Sequence, residues 1–260
     1  MRCGAAEVPA GSLVGGKVQD AAAVAQTLKQ LMARTDVTAT HAFVAVSDAV
    51  ATFRILHLPI TATDRDVEAA VARELALDPE LTATRWVDVP SVNASRLVYA
   101  AAWDRSLIKK VTDALKMAGV EPIVVELKSA SVARAVQEPA CIVVDMSSNP
   151  VELVLIDDRM PQLWHSFELQ SGGGDDLAAA LAVPLRSVLR FYRRRADADF
   201  RPTAPIFISG EQAMPVQVMT NLAEIMQQPV SALPPPPRTP PQVRHATYLA
   251  CLGLIMRRDG

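Results

Sequence analysis

Cys141-Ile142-Val143-Val144-Asp145-Met146-Ser147-Ser148-Asn149-Pro150, followed by Val151-Glu152-Leu153-Val154-Leu155-Ile156, is the stretch that decides the fold. An apolar, largely β-branched run delivers one aspartate into a small polar turn, and an equally apolar run leads away from it. That pattern predicts a hairpin of two buried strands with a carboxylate at its tip. A tight turn at Asp157-Asp158-Arg159 and a strand over residues 162–169 extend it to a three-stranded meander. Gly172-Gly173-Gly174 then leads into a helix that Asp175 caps, running to about Arg195, with Pro184 kinking or dividing it. Residues 205–209 read as a strand ending at Gly210, and residues 214–226 as a helix. The prolines at 234–237, 240 and 241 make an extended loop. The last helix is predicted over residues 243–258, apolar nearly all round at 248–256, which suits a buried helix better than one lying on a membrane.

Upstream, the first 17 residues have loop character. Asp20 caps a predicted helix over residues 21–33, and strands follow at 41–47 and 51–58, the second stopped by Pro59. Thr63 and Asp64 are N-cap candidates for a helix to about residue 77. Strands are expected at 84–89 and 96–102, an Asp104-capped helix to about 118 ended by Gly119, a strand at 122–127 and a short helix at 129–136. Residues 53–126 therefore read β-α-β-β-α-β, the order of a ferredoxin-like split unit.

The chain has 260 residues, 50% of them hydrophobic and 21% charged, enough for one large or two modest globular domains. A net charge of −2 gives no electrostatic reason to expect nucleic acid as a ligand. Cys3, Cys141 and Cys251 are far apart and odd in number, the usage of a reducing compartment. His41, His57, His165 and His245 show no metal-ligand spacing, so no metal ligands are assigned. No span reaches the ~20 apolar residues of a transmembrane helix, and Gly, Glu and Pro follow Arg2 where a signal peptide has its apolar core. The expected location is cytoplasmic, with any membrane connection made through a partner.

Two turns could border a ligand crevice, because ends of adjacent strands form such clefts in α/β sheets: the Asp145 turn and the Ser209-Gly210 turn. Asp145 could equally do no more than turn its hairpin. The glycine run at 172–174 could cradle an anion at a helix N-terminus or serve as a linker. Arg186, Arg190 and Arg193-Arg194-Arg195 form a basic helix face, open to an acidic partner or lipid headgroups, or simply a solvated helix end. No His pairs with a Ser or Cys at a recognised spacing and no carboxylate pair stands out, so no catalytic residue is assigned.

Taken in order, these segments resemble the PilM family, actin-like cytoplasmic proteins of type IV pilus assembly related to FtsA. Gln19-Asp20-Ala21-Ala22-Ala23-Val24 is similar to the family's D-x-x-x-V entry to its first helix. Leu58-Pro59 with Ala70-Val71 and Glu74 resembles the stretch opening its inserted subdomain. Val98-Tyr99-Ala100-Ala101-Ala102 and Ala118-Gly119-Val120-Glu121-Pro122 look like the return from it. Val144-Asp145 stands at VDIG, with Ser147 and Ser148 as small residues of the phosphate hairpin. Gly173-Gly174-Asp175-Asp176-Leu177 resembles GG..L, Arg186-Ser187-Val188-Leu189-Arg190-Phe191-Tyr192 resembles RSL.FY, and Ile208-Ser209-Gly210 resembles the LSGG adenosine turn. Ala250-Cys251-Leu252-Gly253-Leu254 is similar to the family's late ALGLA helix.

The resemblance implies an α/β, actin-like (ribonuclease H-like) fold with an inserted ferredoxin-like subdomain. Its domains would be a partial first lobe at 1–52 and 127–138, the insert at 53–126 and a second lobe at 139–260. It implies ATP with Mg as cofactor, contacted by Asp145, Ser147, Ser148, Gly173, Gly174, Ser209 and Gly210. Three departures count against strong hydrolysis. The chain starts after the point where the fold's first phosphate hairpin would lie, so that hairpin is missing or was lost in defining the start. Met146 replaces a phosphate-hairpin glycine, and Glu211 stands where the adenosine turn has its second glycine. The expected function is a cytoplasmic scaffold of a type IV pilus or related secretion assembly with a degraded nucleotide site. Its partner would be the cytoplasmic segment of a bitopic, PilN-like inner-membrane protein, held in a groove near the small subdomain. An active actin-like ATPase is the alternative, and exposed strand edges leave self-association open.

Overall fold

The computed structural model describes residues 2–75, 78, 80–89, 95–147, 150–169, 175–194, 200–210 and 214–257. The chain forms two compact units, Met1–Leu127 and Lys128–Gly260.

In the first unit the predicted opening loop contains a small hairpin, β1 (Leu13–Val14) and β2 (Lys17–Val18), turned at Gly15-Gly16. The Asp20 carboxylate then accepts the Ala22 and Ala23 N–H groups at 2.9 and 3.0 Å, opening α1 (Ala21–Arg34) as its position implies. β3 (His41–Val46), β4 (Ala51–Pro59), α2 (Asp64–Leu75), β5 (Thr82–Val89), β6 (Ser95–Asp104), α3 (Arg105–Met117) and β7 (Glu121–Leu127) follow. Thr63 and Asp66 cap α2 reciprocally: the Thr63 N–H donates to Asp66 Oδ2 at 2.8 Å, and the Asp66 N–H to Thr63 Oγ1 at 3.3 Å. The buried α2 face (Val67, Ala70, Val71, Leu75) packs with Leu56, Val98, Ala100 and Ala102 of the sheet.

That sheet has the order β4-β6-β5, all antiparallel, which reproduces three of the four positions of the ferredoxin-like unit. The fourth predicted strand departs from it: β7 pairs in parallel with β3, from His41↔Glu121 to Val46↔Leu127. Its apolar pattern fits either sheet equally well, and the choice is made by non-local pairing.

The second unit comprises α4 (Lys128–Ala135), β8 (Cys141–Asp145), β9 (Val151–Asp157), β10 (Met160–Phe167), α5 (Asp175–Arg193), β11 (Ile206–Ser209), α6 (Val216–Met226), β12 (Val230–Ala232) and α7 (Leu249–Ile255). One sheet runs β10-β9-β8-β11-β12, with the β8-β9-β10 meander antiparallel and β8, β11 and β12 parallel. Numbered within the unit this is the order 3-2-1-4-5 of the actin-like, ribonuclease H-like sheet. β8 is the central strand and is buried on both faces, which explains its unbroken apolar run. Ile142 and Val144 pack with α5 and α6; Cys141 and Val143 pack with α4 and α7.

Two readings change here, and one is narrowed: α5 continues through Pro184 as one helix, so the proline does not divide it. β12 is an additional strand, three residues long and too short to leave a pattern. The final helix covers only Leu249–Ile255, while the Ser209 hydroxyl, donating to the Ala246 carbonyl at 2.9 Å, holds the chain before it in a non-helical path. α7 is also one-sided: Leu249, Leu252 and Leu254 are buried, whereas Cys251 and Ile255 are exposed.

α6 ends on Gln227, an exposed residue in the left-handed region at φ 54°. Gln227→Gly should therefore stabilise the protein by about 0.5–1 kcal/mol, since glycine takes that conformation without the Cβ penalty. A thermal melt that shows no gain would contradict this.

Candidate functional site

Asp145 is the last residue of β8 and Glu152 the second of β9, and the hairpin register places them directly opposite one another. Two carboxylates so paired repel. The chain resolves this with Lys128, the first residue of α4. Its Nζ lies 2.7 Å from Asp145 Oδ2 and 2.5 Å from Glu152 Oε2. All three side chains are largely buried, at 25%, 15% and 13% exposure for Lys128, Asp145 and Glu152. Burial pulls the Lys128 ammonium toward the neutral form, but Asp145 and Glu152 outweigh it and hold its pKa above the ordinary lysine range. Burial likewise pushes Asp145 up, but the Lys128 charge and the Ser147 N–H leave it below the ordinary carboxylate range. The Ser147 N–H donates to Asp145 Oδ1 at 2.9 Å, so both Asp145 oxygens are engaged from within the turn and by Lys128.

The predicted crevice between the two turns is narrow. β8 and β11 are hydrogen-bonded neighbours, and the Met146 N–H donates to the Ser209 carbonyl at 2.8 Å. Gly210 follows at φ +132°, and a Cβ there would lie 2.8 Å from the Met146 carbonyl carbon and 2.9 Å from the Ser147 nitrogen. Glycine is needed at 210 because the two turns pack backbone to backbone.

Of the predicted site residues, Asp145, Ser147, Ser209 and Gly210 come together at these strand ends. Ser209 is buried, and its hydroxyl is committed to Ala246. Ser147 is exposed. Ser148, Gly173, Gly174 and the departure at Glu211 lie outside the described residues. Lys128 and Glu152 were not expected. The one available signal was Glu152 as the only charge in the run Val151–Ile156; nothing in the sequence pointed to Lys128.

Magnesium with ATP, implied by the resemblance, does not fit the Asp145 turn. The point where the two carboxylates converge holds an ammonium. Among the described residues no group of three or more His, Cys, Asp or Glu side chains is arranged to hold a metal ion. Cys141 is fully buried and its thiol is pushed up to about 12 by burial, with Glu138 adding to it, so it is unreactive near neutrality. On the basic face, Arg186 donates through Nη2 to the Ile225 carbonyl at 2.7 Å, satisfying the C-terminal end of α6 within the molecule.

The first unit carries a concavity of about 1000 Å³. It runs beside β5, an edge strand of its sheet, and between residues of α2 and α3. Trp86, Trp103 and Ile108 supply apolar surface, and Arg85, Arg105 and Lys109 supply positive charge against one acid, Glu68. Arg96 supports the wall from behind: its guanidinium sits 5.3 Å from the Trp86 ring centroid and bridges Asp88 at 2.7 Å and Asp64 at 2.8 Å.

No protein-family model and no curated protein matches the chain. Among solved structures, it is similar to the PilM-PilN type IV pilus biogenesis complex, with a TM-score of 0.69 and 20% identity over 95% of this chain and 88% of that one. It is also similar to the cytoplasmic domain of EpsL, an inner-membrane component of the Vibrio cholerae type II secretion system, with a TM-score of 0.52 and 11% identity over 90% and 82% of the two chains. Sheet order and these likenesses together give the fold as actin-like.

Proposed function

We propose that this protein is a cytoplasmic scaffold of a pilus or secretion assembly, and that it binds the cytoplasmic segment of a single-span membrane protein. Two solved structures that share its fold come from such machines, one of them a two-protein pilus-biogenesis complex and the other a cytoplasmic domain of an inner-membrane component. No helix among the described residues is long and apolar enough to cross a membrane.

The observation that carries the reading is the groove beside β5. It joins an edge strand, able to pair with an extended chain, to two tryptophans that accept apolar side chains. Its three basic residues against one acid favour a segment with acidic side chains next to its apolar anchors. In this reading the small sheet of β4, β5 and β6 with α2 and α3 is the partner-binding module, and the second unit is the frame. The alternative, an active ATPase, is disfavoured by the ammonium at Asp145.

The test is a pull-down of the tagged full chain from detergent-solubilised membranes of its host, read by mass spectrometry, beside Trp86→Ala and Arg85→Glu variants. The wild type should recover a single-span membrane protein with a short cytoplasmic segment, and both groove variants should reduce its recovery at least tenfold. Recovery of no membrane protein sinks the proposal; recovery unchanged in the variants removes the groove from it.

A further inference from the structure

We infer that Lys128 is a built-in cation: its ammonium occupies the point where Asp145 and Glu152 would otherwise hold a divalent ion, so the chain closes this site with its own charge. Unlike the scaffold reading, this makes no use of a partner, and the two can fail separately.

Geometry carries it. Asp145 Oδ2 and Glu152 Oε2 converge on one point, at 2.7 and 2.5 Å. Oxygen ligands surround calcium or magnesium at only slightly shorter distances, about 2.0–2.6 Å. The convergence is set by the hairpin and does not depend on a flexible loop, because the two carboxylates belong to directly paired residues of β8 and β9. Lys128 comes from a different element, and α4 delivers it from its first position. That placement is unfavourable in itself, since a cation at a helix N-terminus opposes the helix dipole. The carboxylates, not the helix, account for its position. An ammonium and a divalent ion cannot share the point, so metal entry requires Lys128 to leave.

Replacing Lys128 by a small neutral residue should therefore turn a closed salt bridge into a cation site. The test uses the full chain and Mn2+ alone as the probe, with bound ion counted by electron paramagnetic resonance and stability followed by thermal melts. The wild type should show no saturable binding that Asp145→Asn removes, and millimolar Mn2+ should leave its Tm unmoved. Lys128→Ala should bind one Mn2+ per chain at least tenfold more tightly than the wild type, with Tm rising as Mn2+ is added. Adding Asp145→Asn to Lys128→Ala should abolish both effects.

A wild type that binds one Mn2+ at a site lost in Asp145→Asn overturns the inference, and that arm needs no folded Lys128 variant. So does a folded Lys128→Ala protein that gains nothing. If Lys128→Ala does not fold, Lys128→Met/Asp145→Asn/Glu152→Gln must fold, because it removes the anions together with the cation; its failure would show that Lys128 does more than neutralise them.

Discussion

Lys128→Met should lower the Tm by on the order of 10 °C. The substitution leaves Asp145 and Glu152 facing each other, mostly buried and deprived of the Lys128 charge. Removing one partner of a buried ionic group costs about 3–5 kcal/mol, and each kcal/mol moves the Tm of a unit this size by roughly 3–5 °C. The effect should depend on pH. In the wild type, Asp145 is held below its ordinary value, so its contribution is complete above about pH 4 and fades only as pH falls through that lowered value. Lys128 is held above its ordinary value, so its contribution is complete below about pH 10 and fades as pH rises through the higher one. In Lys128→Met the mutual repulsion of the carboxylates raises the pKa of one of them, and mild acid relieves the strain. The Tm gap between variant and wild type should shrink as pH is lowered from 7 to about 4.5. A gap that widens over that range would mean the lysine acts through packing.

Gly253→Ala should be comparably severe, and in the direction opposite to helix propensity. In an exposed helix interior, Gly→Ala stabilises by about 1 kcal/mol. Gly253 lies within α7 and is buried against α4: a Cβ there would sit 1.8 Å from the Ser131 carbonyl oxygen. No rotamer change can absorb this, because the obstacle is backbone. The two helices would have to separate, disturbing the cluster of Val132, Ala133 and Leu249 and the Arg134 bond to the Gly253 carbonyl at 2.8 Å. The expected loss is about 2–4 kcal/mol, in the range of other overpacked or cavity-forming core changes. Denaturant melts measure it, and a neutral or stabilised variant would show that α4 and α7 do not pack this closely.

How much of this was legible in the sequence follows from range. Local signals read correctly: the Asp20 and Asp104 caps, the hairpin of β8 and β9, and the Asp158-Arg159 turn, whose two residues both adopt positive φ. The order of segments carried the actin-like architecture, because sheet order 3-2-1-4-5 follows from a meander and two crossovers. What stayed hidden was non-local. Nothing within β7 says that it joins β3 in place of completing the small sheet. The apolar run at residues 248–256 looked like the middle of a longer helix, yet what precedes α7 is pinned through Ser209 and through His245, whose Nε2 lies 2.9 Å from the Leu233 carbonyl oxygen. The place of Asp145 at the end of its hairpin strand is legible in its own segment. Its lysine is not, since Lys128 sits 17 positions upstream at a strand-to-helix junction where lysines are ordinarily solvated.

The pairing of α4 with α7 also sets an order of events in synthesis. These are the first and last elements of the second unit, joined by a hydrogen bond between residues 119 positions apart. Until residue 255 has cleared the ribosome, one face of β8 and β9 lacks α7, and Val143, Val154 and Phe207 lack part of their roof. Closure over so long a loop is slow, which makes this half-roofed intermediate the form of the nascent chain most exposed to chaperones and to aggregation.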